Sequence, residues 1–102
     1  MDRFLAIQAF VSVAERQSFV AAARSIGVTP SVITSRVKQL ERLVQATLID
    51  RSTRKVELSE VGSLFFEECA DLLARAESVT ERMRLRGRNF PSVARRPDVM
   101  DR

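Results

Sequence analysis

The sequence contains no histidine and a single cysteine, Cys69, among its 102 residues. A lone cysteine can neither form a disulfide within the chain nor supply a thiolate cluster for a metal ion. The absence of histidine removes acid-base and nucleophilic mechanisms that use imidazole, and the Asp, Glu and Lys residues show no cluster around a glycine-rich loop. We therefore expect no enzyme activity, no metal site and no cofactor.

Long apolar runs are absent as well. No stretch approaches the roughly 18 apolar residues that a membrane span needs, and the first four residues, Met1 to Phe4, lack the basic-then-apolar pattern of a secretory signal. A chain of 102 residues with 45% apolar content is long enough for one compact domain. These features predict a soluble, cytoplasmic protein.

Charge is spread unevenly along the chain, whose formal net charge is +4. Residues 84–102 hold six arginines and two aspartates, so they account for the whole excess and residues 1–83 are neutral. Within the neutral part, residues 16–56 carry eight basic and two acidic side chains, whereas residues 57–83 carry two basic and seven acidic ones. This polarity predicts a basic middle that faces phosphate and an acidic segment that faces away from it.

The first part of the chain predicts two helices in succession. Apolar residues recur at helical spacing on more than one face of residues 2–16, which predicts a first helix with two packing partners. Ser18 is a suitable N-cap for a shorter second helix at residues 19–26. Gly27 suits the end of that helix, because a left-handed backbone is often needed there.

A third helix is predicted to begin at Thr29 and Pro30, with a hydroxyl N-cap and proline at the first helical position. Its apolar residues step by three or four and predict a buried stripe of Ile33, Val37, Leu40 and Val44. The opposite face has short hydroxyls first and cations later: Ser31, Thr34, Ser35, Lys38 and Arg42. Short side chains allow close approach to a major groove and cations reach phosphates, but a polar face is also common on ordinary soluble helices.

The turn at residues 25–29 is short and contains Gly27, which is typical of a helix-turn-helix. Two short apolar or alternating runs follow at residues 47–51 and 55–58, around residues 52–54. They predict a small hairpin, or wing. A mere connecting hairpin is the alternative, and it is less consistent with the cations gathered at one end, Arg51, Arg54 and Lys55.

Residues 59–86 predict one long helix that begins at Ser59 and ends at Gly87. Such a helix would extend about 42 Å at 1.5 Å per residue, too far to pack entirely on one small domain. Its apolar stripe steps by three and four residues: Val61, Phe65, Cys69, Leu72, Ala76, Val79 and Met83. The first two turns could pack within the chain, but the rest predicts a homodimer through helix pairing, with Cys69 as a small apolar seam residue. A tetramer stays open.

Motifs in a fixed order resemble the N-terminal domain of LysR-type transcriptional regulators over about residues 2–86. They are Ser-Phe-Val-Ala-Ala-Ala at 18–23, Ile-Gly-Val-Thr-Pro-Ser at 26–31, Leu-Glu at 40–41, Leu-Ile-Asp-Arg-Ser-Thr-Arg at 48–54 and Leu-Ser-Glu-Val-Gly at 58–62. The resemblance implies a mainly α fold, with a winged helix-turn-helix of three helices and a two-stranded wing in residues 1–58 and a long dimerisation helix in residues 59–86. Such proteins bind double-stranded DNA near promoters and switch transcription, usually under the control of a small-molecule sensing domain.

The same resemblance implies roles for individual residues. It places base-edge contacts on the recognition helix and in the wing, at Pro30, Ser31, Thr34, Ser35 and Arg54, with Arg54 in the minor groove. It places phosphate contacts at Ser18, Thr29, Arg36, Lys38 and Arg51.

Three positions depart from the family pattern. Ser35 stands where the family usually has an arginine that could fork onto guanine, although Arg36 could substitute. Gln45 replaces the glycine that normally closes the third helix, at a strain cost of about 1 kcal/mol if its backbone is left-handed. Gln17 replaces a common glycine before Ser18, which we expect to be tolerated.

Residues 87–102 predict a basic tail, either disordered or the remnant of an effector domain, and sixteen residues cannot build an effector pocket. We therefore expect a dimeric, sequence-specific DNA-binding regulator without an effector-sensing domain. The alternative is an interaction module that forms heterodimers with a full-length relative and antagonises it.

Overall fold

The computed structural model describes residues 2–52 and 54–89, so Thr53 and most of the tail predicted from residue 87 lie outside the described residues. The chain divides into two units, Met1–Asp71 and Leu72–Arg102. The elements follow in the order α1 Arg3–Arg16, α2 Phe19–Ile26, α3 Pro30–Val44, β1 Ile49–Asp50, β2 Glu57–Leu58 and α4 Glu60–Asn89. This arrangement confirms the predicted fold, three helices and a two-stranded wing before a long helix.

The first three helices begin where a side chain caps their free N–H groups. The acceptors are the Asp2 carboxylate for Leu5 N–H at 3.1 Å, the Ser18 hydroxyl for Ala21 N–H at 3.0 Å, and the Thr29 hydroxyl for Val32 N–H at 3.4 Å. Helix α2 has the predicted bounds, and Gly27 follows it in the left-handed region with φ of 92°. Pro30 opens α3 without the loss of a helical hydrogen bond, as predicted.

Two glutamines hold a left-handed backbone at helix ends. Gln17 follows α1 with φ of 54°, and Gln45 follows α3 with φ of 58°. The N–H of Gln17 reaches the carbonyl of Val13 at 2.7 Å, and that of Gln45 reaches the carbonyl of Glu41. The strain predicted at Gln45 required a left-handed backbone, and the structure has one there. Gln17 adopts the same conformation.

The core of the first unit lies around α1, which packs against both α2 and α3. Phe10 is fully buried, and its ring centroid lies 5.8 Å from that of Phe65 on α4. The two faces predicted to be apolar in α1 therefore both have partners. In α3 the predicted stripe is buried at Ile33, Val37 and Leu40 and half-buried at Val44.

Helix α4 begins beside the wing and continues past its predicted end. The Ser59 hydroxyl accepts the N–H of Gly62 at 2.8 Å and donates to the carbonyl of Thr47 at 2.6 Å, which fixes the helix start. The predicted end at Gly87 is wrong, because α4 runs through it to Asn89. Gly87 does not adopt a positive φ, and glycine within a helix costs only about 1 kcal/mol. No helix in the described part is long and apolar enough to cross a membrane.

Candidate nucleic-acid interface

The outer face of α3 presents the residues that the sequence predicted as base contacts. Pro30, Ser31 and Ser35 are exposed, and Thr34 is half-buried beside them. The Ser31 hydroxyl lies 3.2 Å from that of Thr29, so the two form a hydrogen bond at the start of α3 in which either can donate. Lys38 and Arg42 are exposed further along the helix. The face therefore changes from short hydroxyls at its start to cations at its end, as predicted.

The wing is a two-stranded antiparallel ribbon in which Ile49 pairs with Leu58 and Asp50 with Glu57. Ile49 is buried against the body, whereas Arg54 and Lys55 are exposed beyond the strands. An open depression of about 200 Å³ lies between the wing and the start of α2 and is lined in part by Phe19, Arg51, Arg54 and Lys55. Two residues predicted to contact DNA, Arg51 and Arg54, therefore border one surface depression together with Lys55.

Asp50 shapes the turn that follows β1. Its Oδ1 accepts the N–H of Ser52 at 2.9 Å and the hydroxyl of Ser52 at 2.6 Å. These two hydrogen bonds lower the pKa of the Asp50 carboxyl below its ordinary value, because they stabilise the ionised form. The carboxylate therefore organises the chain that leads toward Arg54.

Arg51 contacts protein groups that the sequence analysis did not assign to it. Its Nη1 donates to Oε1 of Glu41 at 3.1 Å, and its guanidinium lies 5.6 Å from the centre of the Phe19 ring. The other oxygen of Glu41, Oε2, accepts the N–H groups of Leu48 and Ile49 at 2.8 and 3.1 Å. Glu41 on α3 is thus bonded to the start of the wing.

Sequence reasoning assigned no role to Glu41 or Asp50, whose carboxylates bond to the wing. A signal was present, because these are the two acidic side chains in the otherwise basic segment 16–56. An isolated carboxylate among cations near a phosphate surface would weaken binding unless it had a structural partner. Both carboxylates do have such partners in the wing.

The other predicted phosphate contacts occupy varied environments. Ser18 and Thr29 use their hydroxyl oxygens to cap α2 and α3, and the Thr29 hydroxyl is also hydrogen-bonded to that of Ser31. Arg36 is half-buried and Lys38 is exposed. Their contacts with DNA stay predictions.

The predicted dimer seam divides between the two units. In the first unit Phe65 packs on Phe10, and Cys69 is 2% exposed, so Cys69 has almost no surface left for a partner and belongs to the core instead. Burial raises the pKa of its thiol, with a smaller contribution from Glu68. Val61 in the first unit is exposed. Described by itself, the second unit exposes three large seam residues and half-buries Ala76; the exposed ones are Leu72, Val79 and Met83.

Three helices, a short glycine-containing turn between the second and third, and a two-stranded wing define a winged helix-turn-helix DNA-binding domain. The family described as the bacterial regulatory helix-turn-helix protein, lysR family, matches residues 4–63. The chain belongs to this family. It carries the family's DNA-binding domain, which serves transcription regulation.

Alignments with curated relatives cover more of the chain than residues 4–63. The chain is 35% identical over 83 residues to the HTH-type transcriptional activator AaeR of Escherichia coli K12. This alignment covers 81% of this chain and 27% of AaeR. The chain is also 36% identical over 75 residues to the HTH-type transcriptional regulator BudR of Klebsiella aerogenes. This alignment covers 74% of this chain and 52% of BudR. The matched part is therefore about a quarter to a half of the length of these relatives.

Solved structures with the same fold include DNA complexes. The CbnR DBD in a complex with DNA is 31% identical, with a TM-score of 0.74 over 85% of this chain and 99% of that one. The BenM DBD in a complex with benA site 1 DNA has a TM-score of 0.77 over 91% of this chain and 99% of that one. At 22% identity, the BenM comparison shows the fold alone.

Proposed function

We propose that this chain acts as a dimeric, sequence-specific DNA-binding regulator of transcription. One observation carries the proposal: the exposed face of α3, with Ser31, Ser35 and Lys38, lies on a domain whose wing exposes Arg54. A helix face of short polar groups followed by cations suits a major groove, and an arginine on a projecting wing suits the narrower minor groove. The complex of the related CbnR DBD with DNA supports this use of the fold.

Two groups of residues divide the task in this proposal. Base edges are read by Pro30, Ser31, Thr34, Ser35 and Arg54. The phosphate backbone is held by Ser18, Thr29, Arg36 and Lys38, and Arg51 was predicted to join them. Because Ser35 supplies no guanidinium, we expect weaker selection for guanine opposite this position than an arginine would give. A role on chromosomal DNA makes the cytoplasm the proposed compartment.

Dimerisation is the second part of the proposal. Val79 and Met83 on α4 are 37% and 53% exposed, and Leu72 is 51% exposed. A row of exposed apolar side chains at helical spacing is best covered by an equivalent helix from a second copy. Two copies would then bind two half-sites, which makes a two-fold symmetric or nearly symmetric DNA site the expected target.

Selection of binding sites from random duplexes tests the proposal. We expect enrichment of a site with two related halves, and Arg54→Ala should bind that site about tenfold more weakly, the usual cost of one specific arginine contact. Arg75→Ala on α4 is the matched control, because it removes the same charge from an exposed position outside the wing. Failure of the wild type to enrich any site would argue against sequence-specific binding, and equal affinity of the two variants would argue against the wing contact.

The exposed row on α4 also favours a second candidate, an antagonist that pairs with a longer relative. In this role the chain would occupy one half of a mixed dimer and reduce binding of the relative to its promoter. Mixing the chain with a full-length regulator of the same family should then yield heterodimers and lower promoter occupancy. The absence of mixed dimers at micromolar concentrations would reject this candidate while leaving the homodimer intact.

A further inference from the structure

The wing has too few strand residues to hold its own orientation. β1 and β2 contribute two residues each, and their register joins only Ile49 to Leu58 and Asp50 to Glu57. An isolated two-stranded hairpin is at best marginally stable in water. If the wing is to enter a groove in one orientation, contacts with neighbouring elements must fix it.

Glu41 on α3 provides such contacts. Its carboxylate accepts three hydrogen bonds, from the N–H groups of Leu48 and Ile49 at 2.8 and 3.1 Å and from Arg51 at 3.1 Å. The Glu41 side chain is only 13% exposed, so water has little access to these N–H groups and could not readily replace the carboxylate as their acceptor. Hydrogen bonds to an ionised acceptor are stronger than neutral ones, and loss of the carboxylate would leave two peptide N–H groups without this acceptor.

The contacts of Glu41 reach further than one strand. Arg51, held by Glu41 on one side, lies over the ring of Phe19 at the start of α2. The carbonyl of Leu48 accepts the N–H of Ser59 at 2.9 Å, so the peptide groups on both sides of Leu48 are bonded. A single carboxylate therefore joins the recognition helix to the base of the wing and, through Arg51, to α2.

We propose that Glu41 is a positioning residue that fixes the orientation in which the wing presents Arg54 to DNA, with Arg51 as its counterion. This inference rests on the proposed function, because it assumes that the wing binds DNA. Glu41 acts through the wing backbone and touches no base or phosphate itself. Arg51, in turn, forms an ion pair with Glu41 and contributes to DNA binding by helping to hold the wing in position.

The substitution Glu41→Gln separates positioning from simple electrostatics. If only charge mattered, removal of a carboxylate from a basic DNA-binding surface would strengthen binding. Positioning predicts the opposite, because a neutral amide is a weaker acceptor and its NH₂ group cannot accept from Arg51. Glu57→Gln is the matched control, since Glu57 is exposed on β2 of the same wing and makes none of these three hydrogen bonds.

Affinity for the duplex selected by the wild type is the first measurement. We expect Glu41→Gln to bind about tenfold more weakly, as for the loss of one hydrogen bond to a charged group, and Glu57→Gln to bind as tightly as the wild type or more tightly. Addition of Arg54→Ala to Glu41→Gln should cost less affinity than Arg54→Ala costs in the wild type, because the arginine is already misplaced. Equal affinities of Glu41→Gln and Glu57→Gln, or full additivity with Arg54→Ala, would overturn the proposal.

Amide hydrogen exchange supplies a test that needs no DNA. The amides of Leu48 and Ile49 should exchange faster in Glu41→Gln, and faster still in Glu41→Ala, while the amides of Phe10 and Val13 in the core keep their protection. Unchanged exchange at Leu48 and Ile49 would overturn the proposal. If the wild type selects no duplex at all, the proposed function fails, and the exchange rates alone decide whether Glu41 holds the wing.

Discussion

The two parts of α4 carry the same apolar spacing but bury it differently. In the first unit, residues 60–71 place Gly62 and Cys69 in buried positions and Phe65 against Phe10. In the second unit, no described side chain between residues 72 and 88 is buried. Helical periodicity thus predicts which side chains share a face, but it does not reveal whether the same chain or another one covers that face.

The largest expected effect comes from the substitution of glycine by alanine in each part. At Gly62 a Cβ atom would collide with the backbone carbonyl of Leu48, which cannot rotate away as a side chain could. We expect Gly62→Ala to lower the free energy of unfolding by about 3 kcal/mol or more. At Gly87 no atom of the described residues lies within 4 Å of such an atom, so Gly87→Ala should stabilise α4 locally by about 1 kcal/mol and increase the helix content. Urea titrations and circular dichroism measure both, and a similar response at the two glycines would remove the contrast between the units.

The proposed dimer predicts the next largest effect, in the second unit alone. A charge at Val79 should oppose burial of the apolar face by a partner helix, and we expect Val79→Glu to raise the dimer dissociation constant at least about a hundredfold. Ala74→Glu adds the same charge on the opposite side of the helix and should leave the dimer intact. Light scattering across a concentration series measures the two masses. Equal masses for both variants at every concentration would show that this face does not form the dimer.

A smaller effect is expected at the left-handed glutamines, both of which lie in the first unit. Gln45→Gly should raise the free energy of unfolding by about 1 kcal/mol, because glycine adopts a positive φ without the steric cost of a Cβ atom. Gln39→Gly, within α3, should lower it by a similar amount through lost helix propensity. Thermal unfolding of the pair gives the sign directly. A loss of stability in both variants would mean that the Gln45 side chain makes a compensating contribution.

The smallest predicted effect concerns thiol chemistry. Burial raises the pKa of Cys69, so less of the reactive thiolate is present at a given pH. We expect iodoacetamide to modify Cys69 at least about tenfold more slowly than a cysteine at exposed position 78, introduced by Ser78→Cys in a Cys69→Ala background. The neutral thiol stabilises the folded state at pH values below its ordinary pKa, and this stabilisation is lost as the pH rises through the raised pKa. Equal rates in the folded proteins would contradict the burial of Cys69, and equal rates in urea are the control.

The local signals in the sequence predicted much of the fold, because caps and turns depend on neighbouring residues. Ser18, Thr29 and Gly27 each mark a helix boundary where the structure has one. Gly87 misled the prediction, since glycine is common after helices but also tolerated within them. A glycine therefore marks a helix end at residue 27 but not at residue 87.

The site was predictable only in part. The exposed face of α3 follows from helical spacing alone, and the position of Arg54 follows from the two runs that form the wing. The partners of Arg51 do not follow, because Glu41 and Phe19 lie on other elements and meet it only in the folded domain. Long-range contacts of this kind depend on packing, which no short motif encodes.

The junction of Leu48, Ser59 and Gly62 has a consequence for movement within the proposed dimer. Ser59 forms hydrogen bonds with the carbonyls of Thr47 and Leu48, and Gly62 allows the first turn of α4 to approach the backbone of Leu48 closely. The wing and the start of α4 cannot move independently without breaking these contacts. In the proposed dimer, a displacement of the start of α4 would therefore carry the wing of the same copy with it and change the spacing between the two wings.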